Sequence, residues 1–310
     1  MKTTKVFLTL GTLVLAGSLM FTGCRKKTKE SEDPDSDQSA AQENQIAENH
    51  MNDVEAIGSQ ASENGNLTTY RMGPGAEDLF GISSASVTFG VKSFTVDFGP
   101  YPGMTCADNR KRSGKLMFDY SASTNSATAY RMPGYNLSIT SANYTVDDYT
   151  VNIINKNITN TTPLSSVSPS LVPGTNLTWS ITASVNILKP TSAGGGTIVW
   201  NCNRTKTLVN TSSTLCYNGQ GVPITWSKAR IQIDGTASGT TAGGDNYTST
   251  ISGLTRDFGT CGAFLKYPWI QGTVQFTPGT KATRYIDFGS GTCDRAATVT
   301  IKGITYSFNF

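Results

Sequence analysis

From about residue 66 onward, apolar and polar side chains alternate along segment after segment of the chain. In "WSITASVNIL" the apolar positions are Trp179, Ile181, Ala183, Val185 and Ile187. "KARIQID", "GTVQF", "SFTVDF" and "ATVTIKGITYSFNF" behave likewise, and turns such as "PGT" and "AGGG" separate such segments. A period of two places the apolar side chains on one face of a strand. The pattern predicts an all-β body over residues 66–310, built as an antiparallel sandwich or as extended meandering sheets.

The segment before the body has a helical spacing instead. Its larger side chains recur every three or four residues without an intervening proline, at Ile46, His50, Val54, Ile57 and Ala61. This spacing predicts a short, weakly amphipathic helix over residues 46–64. The residues before it, 24–45, are charged and polar with almost no large apolar group, so we expect a flexible, disordered acidic stalk there.

The first 23 residues have the pattern of a bacterial lipoprotein signal peptide. Lys2 and Lys5 precede an apolar stretch that is too short to span a bilayer, and the stretch ends in "FTGC". This ending resembles a lipobox, which implies that Cys24 is acylated and anchors the protein to membrane lipid. Because Arg25 follows rather than an aspartate, sorting by analogy favours the outer membrane, with the leaflet left open.

Charge divides the chain into an acidic and a basic part. Residues 25–65 carry 4 Lys/Arg and 10 Asp/Glu, whereas residues 66–310 carry 19 and 12. Only "RKR" at 110–112 is clustered, so the basic charges are interpreted as a solvated surface. No basic stripe or reader motif indicates nucleic-acid binding.

Five cysteines remain for disulfide bonding after Cys24 is set aside. An exported protein meets an oxidising environment, so pairs are expected and one thiol is left over. Cys202 and Cys216 flank a short segment that can fold back, and Cys261 and Cys293 bracket the C-terminal region. We predict these two bonds and an unpaired Cys106.

The tripeptide Asp-Phe-Gly occurs three times, each time with a cysteine shortly after it. We interpret it as a strand end: the phenylalanine faces the core, the aspartate accepts turn N–H groups, and the glycine takes a positive φ. The first and last of these blocks also share the same order of features: a strand, Asp-Phe-Gly, a turn, a cysteine, an aspartate and a second strand. This repetition raises the alternative that the body has two similar halves, 66–170 and 171–310. Asp287 and Asp294 are weak candidates for a calcium site, and no metal or other cofactor is predicted.

The chemistry available to the body argues against catalysis. His50, the only histidine, lies in the predicted helix, and Glu77 is the last glutamate. No catalytic residue is therefore assigned. Aromatic side chains leave room for a sugar-binding platform, and our candidate is Trp200 with its polar neighbours Asn201, Asn203 and Arg204.

The C-terminal run "IQGTVQFTPGTKATRYIDFGSGTCDRAATVTIKGITYSFNF" resembles the end of a family of uncharacterised lipoproteins from the Bacteroidota. Those ends read much like "SGTVEITP…TRTIDFGDGTCDNKATVTINGKTY". "FTVDFGP", "DVEAIGSQASE" and "IVWNCNRTKT" are similar to further blocks of the same family. The resemblance implies an exported all-β lipoprotein and carries no activity, ligand or catalytic residue.

These observations favour a lipid-anchored, non-catalytic component of the cell envelope, used for binding or for structure. Glycans and other envelope proteins are the expected partners besides membrane lipid. The alternative is a glycan-binding or glycan-active surface protein that uses aromatic platforms and aspartates. A glycan-active enzyme would need two carboxylates that flank the bond to be cleaved.

Overall fold

The alternating segments form the strands of one antiparallel sheet, and the helical segment precedes it. The computed structural model describes residues 39–64, 85–106, 109–123, 130, 133–163, 176–209, 230–261, 269–294 and 296–309. The signal peptide, Cys24, Cys216 and Trp226 lie outside these ranges. The helices are α1 (Ser39–Asn64), α2 (Phe258–Cys261) and a single 3₁₀ turn (Thr191–Ala193). The strands are β1 (Ser86–Gly90), β2 (Ser93–Asp97), β3 (Met104–Thr105), β4 (Lys111–Asp119), β5 (Asn136–Val146), β6 (Tyr149–Asn160), β7 (Leu177–Leu188), β8 (Thr197–Val209), β9 (Arg230–Thr240), β10 (Asn246–Asp257), β11 (Gln271–Pro278), β12 (Arg284–Ser290), β13 (Ala296–Ile301) and β14 (Ile304–Asn309).

The sheet is a meander in which neighbouring strands follow one another along the chain. Its order is β1-β2-β4 and then β5 through β14 in sequence, with β3 paired to β4. The all-β prediction is confirmed, and of its two forms the sheet takes the meander. Strands β6 and β7 pair from Thr150↔Leu188 to Asn160↔Trp179, so the sheet continues across the boundary of the two predicted halves.

Helix α1 begins at Ser39, which is earlier than the predicted start at Ile46. The end of the predicted stalk is therefore wrong, because residues 39–45 are helical. Ala40, Glu43 and Asn44 in this first part are buried against the sheet. The apolar periodicity does not extend to residues 39–45, because the carboxylate of Glu43 and the amide of Asn44 make the contacts with the sheet in this part of the helix. Among the described residues, no helix has the length and apolarity needed to cross a bilayer.

The sheet curves around α1. Side chains of α1 bind Arg112 on β4, Lys156 on β6, Arg204 on β8 and the backbone of Ala242 after β9. Asp53 and Glu55 lie two residues apart and project about 200° apart around the helix axis, yet they reach bases on β4, β6 and β8. A flat sheet would lie on one side of the helix only, so the sheet bends into a trough. We call the concave side, which faces α1, the inner face and the other side the outer face.

Glycine-containing bulges allow this curvature. Gly114 has φ +76°, and a Cβ there would lie 2.1 Å from the carbonyl oxygen of Asn143 on β5. Gly235 has φ +122°, and its Cβ would lie 2.2 Å from the carbonyl oxygen of Asn203 on β8. The β4–β5 and β9–β10 pairings shift register beside these glycines, with the extra residue on β5 opposite Gly114 and on β10 at Ser252–Gly253 next to Gly235. A bulge bends and twists its strand, and only glycine fits where two backbones approach so closely.

The Asp-Phe-Gly turns follow the predicted geometry in two of three cases. Asp97 Oδ1 accepts the Gly99 N–H at 2.9 Å, and Asp287 Oδ1 accepts the Gly289 N–H at 2.8 Å. Both glycines have positive φ, +79° and +82°. In the third case Asp257 instead accepts the N–H of Thr260 and begins helix α2.

Of the two predicted disulfides, one is present. Cys261 and Cys293 are bonded, with Cα atoms 5.3 Å apart. Cys202 is a buried thiol in the middle of β8, so its predicted bond to Cys216 is absent. The prediction placed a hairpin after Cys202, but β8 continues to Val209 and the side chain faces the core. Cys106 is a buried thiol as well.

Candidate ligand-binding groove

The residues predicted as a sugar platform lie on opposite faces of β8. Trp200 is 1 % exposed and donates its indole N–H to Asn44 Oδ1 at 3.1 Å. Arg204 is also buried and pairs with Glu48 of α1. Asn201 and Asn203 point to the solvent on the outer face. Alternation along the strand separates the four residues, so Trp200 is a core residue that helps to hold α1 rather than an exposed platform.

Ion pairs join α1 to the inner face in addition to the buried apolar side chains of Ala47, Met51, Val54 and Ile57. Every acidic side chain described on α1 reaches basic side chains from the sheet or its turns. The pairs are Glu43 with Lys189, Glu48 with Arg204, Asp53 with Arg110 and Arg112, and Glu55 with Lys156 and Lys206. The acidic and basic parts of the sequence therefore complement each other inside the fold, and at these positions the expectation of a solvated basic surface is wrong.

Glu55 forms one of the two most deeply buried of these ion pairs, the other being that of Asp53 with Arg112. The carboxylate of Glu55 accepts Lys206 Nζ at 2.8 Å and Lys156 Nζ at 3.1 Å, and Tyr130 Oη lies 3.4 Å away. Burial opposes ionisation, but the two ammonium groups outweigh it and lower the pKa of Glu55 to about 2. The helix is thus held by charges that stay ionised.

One narrow side of α1 is left uncovered by the sheet. The exposed side chains of its central turns are all carboxamides, namely Gln42, Gln45, Asn49 and Asn52. We call this set the amide stripe. At about 100° per residue, the four positions fall within a sector of about 80° of the helix circumference. Gln45 Nε2 donates to Asn49 Oδ1 at 2.8 Å, which orients two of the amides along the helix.

Two members of the amide stripe, Asn49 and Asn52, form part of the floor of an open cavity of about 540 Å³, which we call the polar groove. Its walls come from both sides of the trough: Arg110, Asp147 and Tyr149 from the β4–β6 region, and Arg256 from β10. Arg110 Nε donates to Asp147 at 2.8 Å and its Nη1 lies 3.5 Å from Asp53. The groove therefore presents amide, guanidinium, carboxylate and phenol groups to one space.

His50 lies at the base of the polar groove as a neutral imidazole. Burial, reinforced by the charge of Arg110, lowers the pKa of His50 to about 4. Arg110 Nη2 is 3.2 Å from His50 Nδ1, and a guanidinium can only donate, so Nδ1 accepts and the ring proton sits on Nε2. The ring lies 5.1 Å from that of Tyr149. The sequence placed this histidine outside the body, but α1 carries it into the trough.

A second cavity, of about 90 Å³, adjoins the first because Asn52 lines both. We call it the apolar cavity, since one wall consists of hydrophobic side chains from the sheet and the other of polar groups from α1. The hydrophobic wall is formed by Ile233, Ile251, Leu254, Trp269, Val274, Phe276, Ile286 and Phe288. The guanidinium of Arg256 stacks 3.9 Å from the ring centre of Trp269, so this pair marks the junction of the two cavities.

The weak metal candidates do not converge on an ion. Asp287 and Asp294 each accept a backbone N–H two residues further on, from Gly289 and Ala296. Across the described ranges, no three or more His, Cys, Asp or Glu side chains come together as a metal-binding group.

The amide stripe, which supplies Asn49 and Asn52 to the groove, was missed because the signal that marks it is polar. The amides at 42, 45, 49 and 52 repeat with helical spacing, but a search for apolar periodicity passes over them. Of the three tryptophans that the structure describes, Trp269 rather than Trp200 is partly exposed beside polar groups. No protein-family model, curated protein or solved structure matches this chain.

Proposed function

We propose that this protein is a non-catalytic binding protein of the bacterial outer membrane, anchored by lipid at Cys24, whose polar groove binds a glycan. The lipobox-like "FTGC" and the resemblance to Bacteroidota lipoproteins support the anchored location. The binding role rests on a single observation: amide, guanidinium and carboxylate groups converge in one open groove beside Tyr149 and Trp269.

The groups in the groove suit sugar hydroxyls for a physical reason. Planar amide and guanidinium groups on a rigid floor can donate and accept hydrogen bonds in fixed directions, while an aromatic ring packs on the apolar face of a pyranose. The floor is rigid because α1 is fixed by buried ion pairs on several sides. A cavity of about 540 Å³ is also in the size range of small-molecule sites.

A glycan array followed by titration calorimetry tests this role on the protein without its signal peptide. Replacing Asn49 and Asn52 with alanine should abolish or strongly weaken binding of any glycan found. The matched control replaces Asn201 and Asn203, which have the same chemistry on the outer face of β8. An array without hits, or an equal loss in both variants, would reject the proposal.

The membrane anchor is tested separately in cells. Replacing Cys24 with alanine should move the protein from the membrane fraction to the soluble fraction and remove metabolic labelling by palmitate. Cys202→Ala serves as the control because its thiol is buried in the core. Retention of Cys24→Ala in the membrane would contradict lipid anchoring.

A second candidate is a glycan-active enzyme, because Asp53 and Asp147 line the same groove. In glycosidases, the space between two such carboxylates receives the scissile bond or a water molecule. Here Arg110 contacts both aspartates, so a guanidinium occupies that position, which favours binding over catalysis. Release of reducing sugar by the wild type, lost in Asp147→Asn, would favour the enzyme instead.

A further inference from the structure

The inner face of the sheet continues beyond α1 as an uncovered apolar surface. Antiparallel neighbours place directly opposed side chains on the same face. Val274 and Ile286 line the apolar cavity beneath α1, and the register extends this row through Val299 on β13 to Tyr306 on β14. The inner face is therefore continuous from the cavity to the last strand.

The neighbouring rows of this face are also apolar on β13 and β14, although Arg284 of β12 lies opposite Ile301 in one of them. Ile301 and Ile304 lie opposite each other on β13 and β14, as do Ala297 and Phe308. Ile304, Tyr306 and Phe308 are 59 %, 46 % and 38 % exposed, although they lie on the side of the sheet that forms the core elsewhere. We call the inner-face residues Ile286, Phe288, Val299, Ile301, Ile304, Tyr306 and Phe308 the apolar track.

A contiguous exposed apolar surface on a folded protein is a common mark of an interaction site. The track spans two strand spacings from β12 to β14, roughly 10 Å, and at its inner end it enters the apolar cavity. There it meets the Arg256–Trp269 pair, and beyond that pair lies the polar groove. A long apolar surface thus ends in a cluster of hydrogen-bonding groups.

The buried hydroxyl of Ser249 adds an independent indication of a ligand. Ser249 is 2 % exposed and lines the apolar cavity beside Asn44 and Glu48. Among the described residues its Oγ has no hydrogen-bond partner. A buried hydroxyl without a partner is uncommon in a folded protein, so a polar atom that enters the cavity is expected to bind there.

We propose that the groove and the track together bind one glycolipid-class amphiphile, with its sugar head in the polar groove and one acyl chain along the apolar track. The proposal rests on the glycan-binding function proposed above and adds the class of ligand. The complementarity is one of polarity: the hydrogen-bonding groups of the groove converge at the inner end, and the track towards β14 is apolar apart from the Tyr306 hydroxyl and the neighbouring Arg284. The polar atoms that link head and chain pass the Ser249 hydroxyl.

Alkyl glycosides with octyl, decyl and dodecyl chains are suitable probes at concentrations where they remain monomeric. Their affinities should rise about three- to fourfold per added CH₂ group until the track is filled, because each buried methylene contributes a constant increment. The free sugar should bind more weakly than any of them. Quenching of Trp269 by a brominated chain, absent in Trp269→Phe, should report the chain at the junction.

Two tyrosines provide matched variants. Tyr306→Glu places a charge on the track, whereas Tyr285→Glu places one on the outer face of β12, where Tyr285 is 55 % exposed. Tyr306→Glu should lower the affinity for the dodecyl glycoside at least tenfold and leave the free sugar unaffected. Tyr285→Glu should change neither affinity.

The outcomes separate this proposal from the one on which it rests. If the free sugar binds and chain length adds nothing, the track is not an acyl site and glycan binding stands. If affinity follows chain length whatever the head group, the track stands and glycan recognition fails. The track proposal is overturned if Tyr306→Glu merely converts a dimer into a monomer, since the surface is then an interface between copies, or if the protein binds only vesicles.

Discussion

Replacing Glu55 with glutamine is expected to destabilise the fold because it leaves charged lysines without a charged partner. The carboxylate of Glu55 is 4 % exposed and binds both Lys156 and Lys206. Lys156 is itself 2 % exposed, so its ammonium group has little access to water. Glutamine keeps the shape of the side chain and removes only the charge.

The size of the effect follows from the electrostatics of the site. The pKa of Glu55 falls from 4.5 to about 2 on folding, against the opposing effect of burial, because Lys206 and Lys156 stabilise the carboxylate. A shift of this size corresponds to about 3 kcal/mol of folding free energy at neutral pH. Breaking a buried ion pair by removing one partner costs about 3–5 kcal/mol. We therefore expect Glu55→Gln to lose about 3 kcal/mol.

Urea unfolding followed by circular dichroism measures this loss at pH 7. Lys115→Gln is the control: its pair with Asp97 is 3.0 Å long but solvent-exposed, so its loss should stay below about 1 kcal/mol. Adding Lys156→Met to Glu55→Gln should recover part of the stability, since the isolated ammonium group is removed.

The pH dependence gives a second, independent check on Glu55. A carboxyl group whose pKa is lower in the folded state contributes fully above its unfolded pKa of 4.5. The contribution disappears as the pH falls through the folded pKa of about 2. The difference between wild type and Glu55→Gln should therefore shrink from pH 4.5 towards pH 2. A constant difference, or a loss at pH 7 no larger than that of Lys115→Gln, would refute the electrostatic reasoning.

Further predictions concern the histidine, the bulges and the disulfide. The pKa of His50 is 6.5 in the unfolded state and about 4 in the folded state, so the unfolded state binds the proton first as the pH falls. The free energy of unfolding of the wild type should therefore rise by about 3 kcal/mol from pH 4 to 6.5. Urea titrations of His50→Gln should lack this rise. Gly114→Ala should lower the free energy of unfolding by at least about 2 kcal/mol more than Gly289→Ala. Both glycines have positive φ, but only at position 114 would a Cβ lie against a neighbouring backbone. Equal losses of stability in the two variants would contradict the steric argument. Replacing Cys261 and Cys293 with alanine opens a loop with a sequence separation of 32 residues and should lower the free energy of unfolding by about 3–4 kcal/mol, whereas an unchanged urea midpoint would show that the bond does not stabilise the fold.

Much of the fold could be predicted from the sequence because a single repeated signal encodes it. Alternation in strands such as β7, where Trp179, Ile181 and Val185 all face the core, identifies both the strand and its buried face. The curvature could not be predicted in the same way. It depends on bulges beside Gly114 and Gly235, and a glycine in a strand has the same appearance in sequence whether it lies next to a bulge or in a turn.

The candidate site was harder to predict because its parts are distant in sequence and polar. Trp200 and its neighbours were grouped by adjacency, yet adjacent residues of a strand face opposite sides. Arg110 and Arg256 meet at the groove only because the curved sheet brings β4 and β10 to the two sides of α1. The opposite net charges of residues 25–65 and 66–310 were the usable signal, since part of that difference is neutralised between the helix and the sheet.

The buried ion pairs and the amide stripe are two consequences of one constraint on α1. Buried ion pairs contribute little net stability compared with apolar contacts, but a wrong orientation that leaves them unpaired is strongly unfavourable. Glu43, Glu48, Asp53 and Glu55 point in several directions around the helix and meet bases on four different parts of the sheet. Only one rotation of α1 satisfies all of them, and in that rotation the uncharged amides face the opening. The charges therefore act mainly by selecting one orientation, and this orientation places hydrogen-bonding groups on a fixed floor where the groove meets solvent.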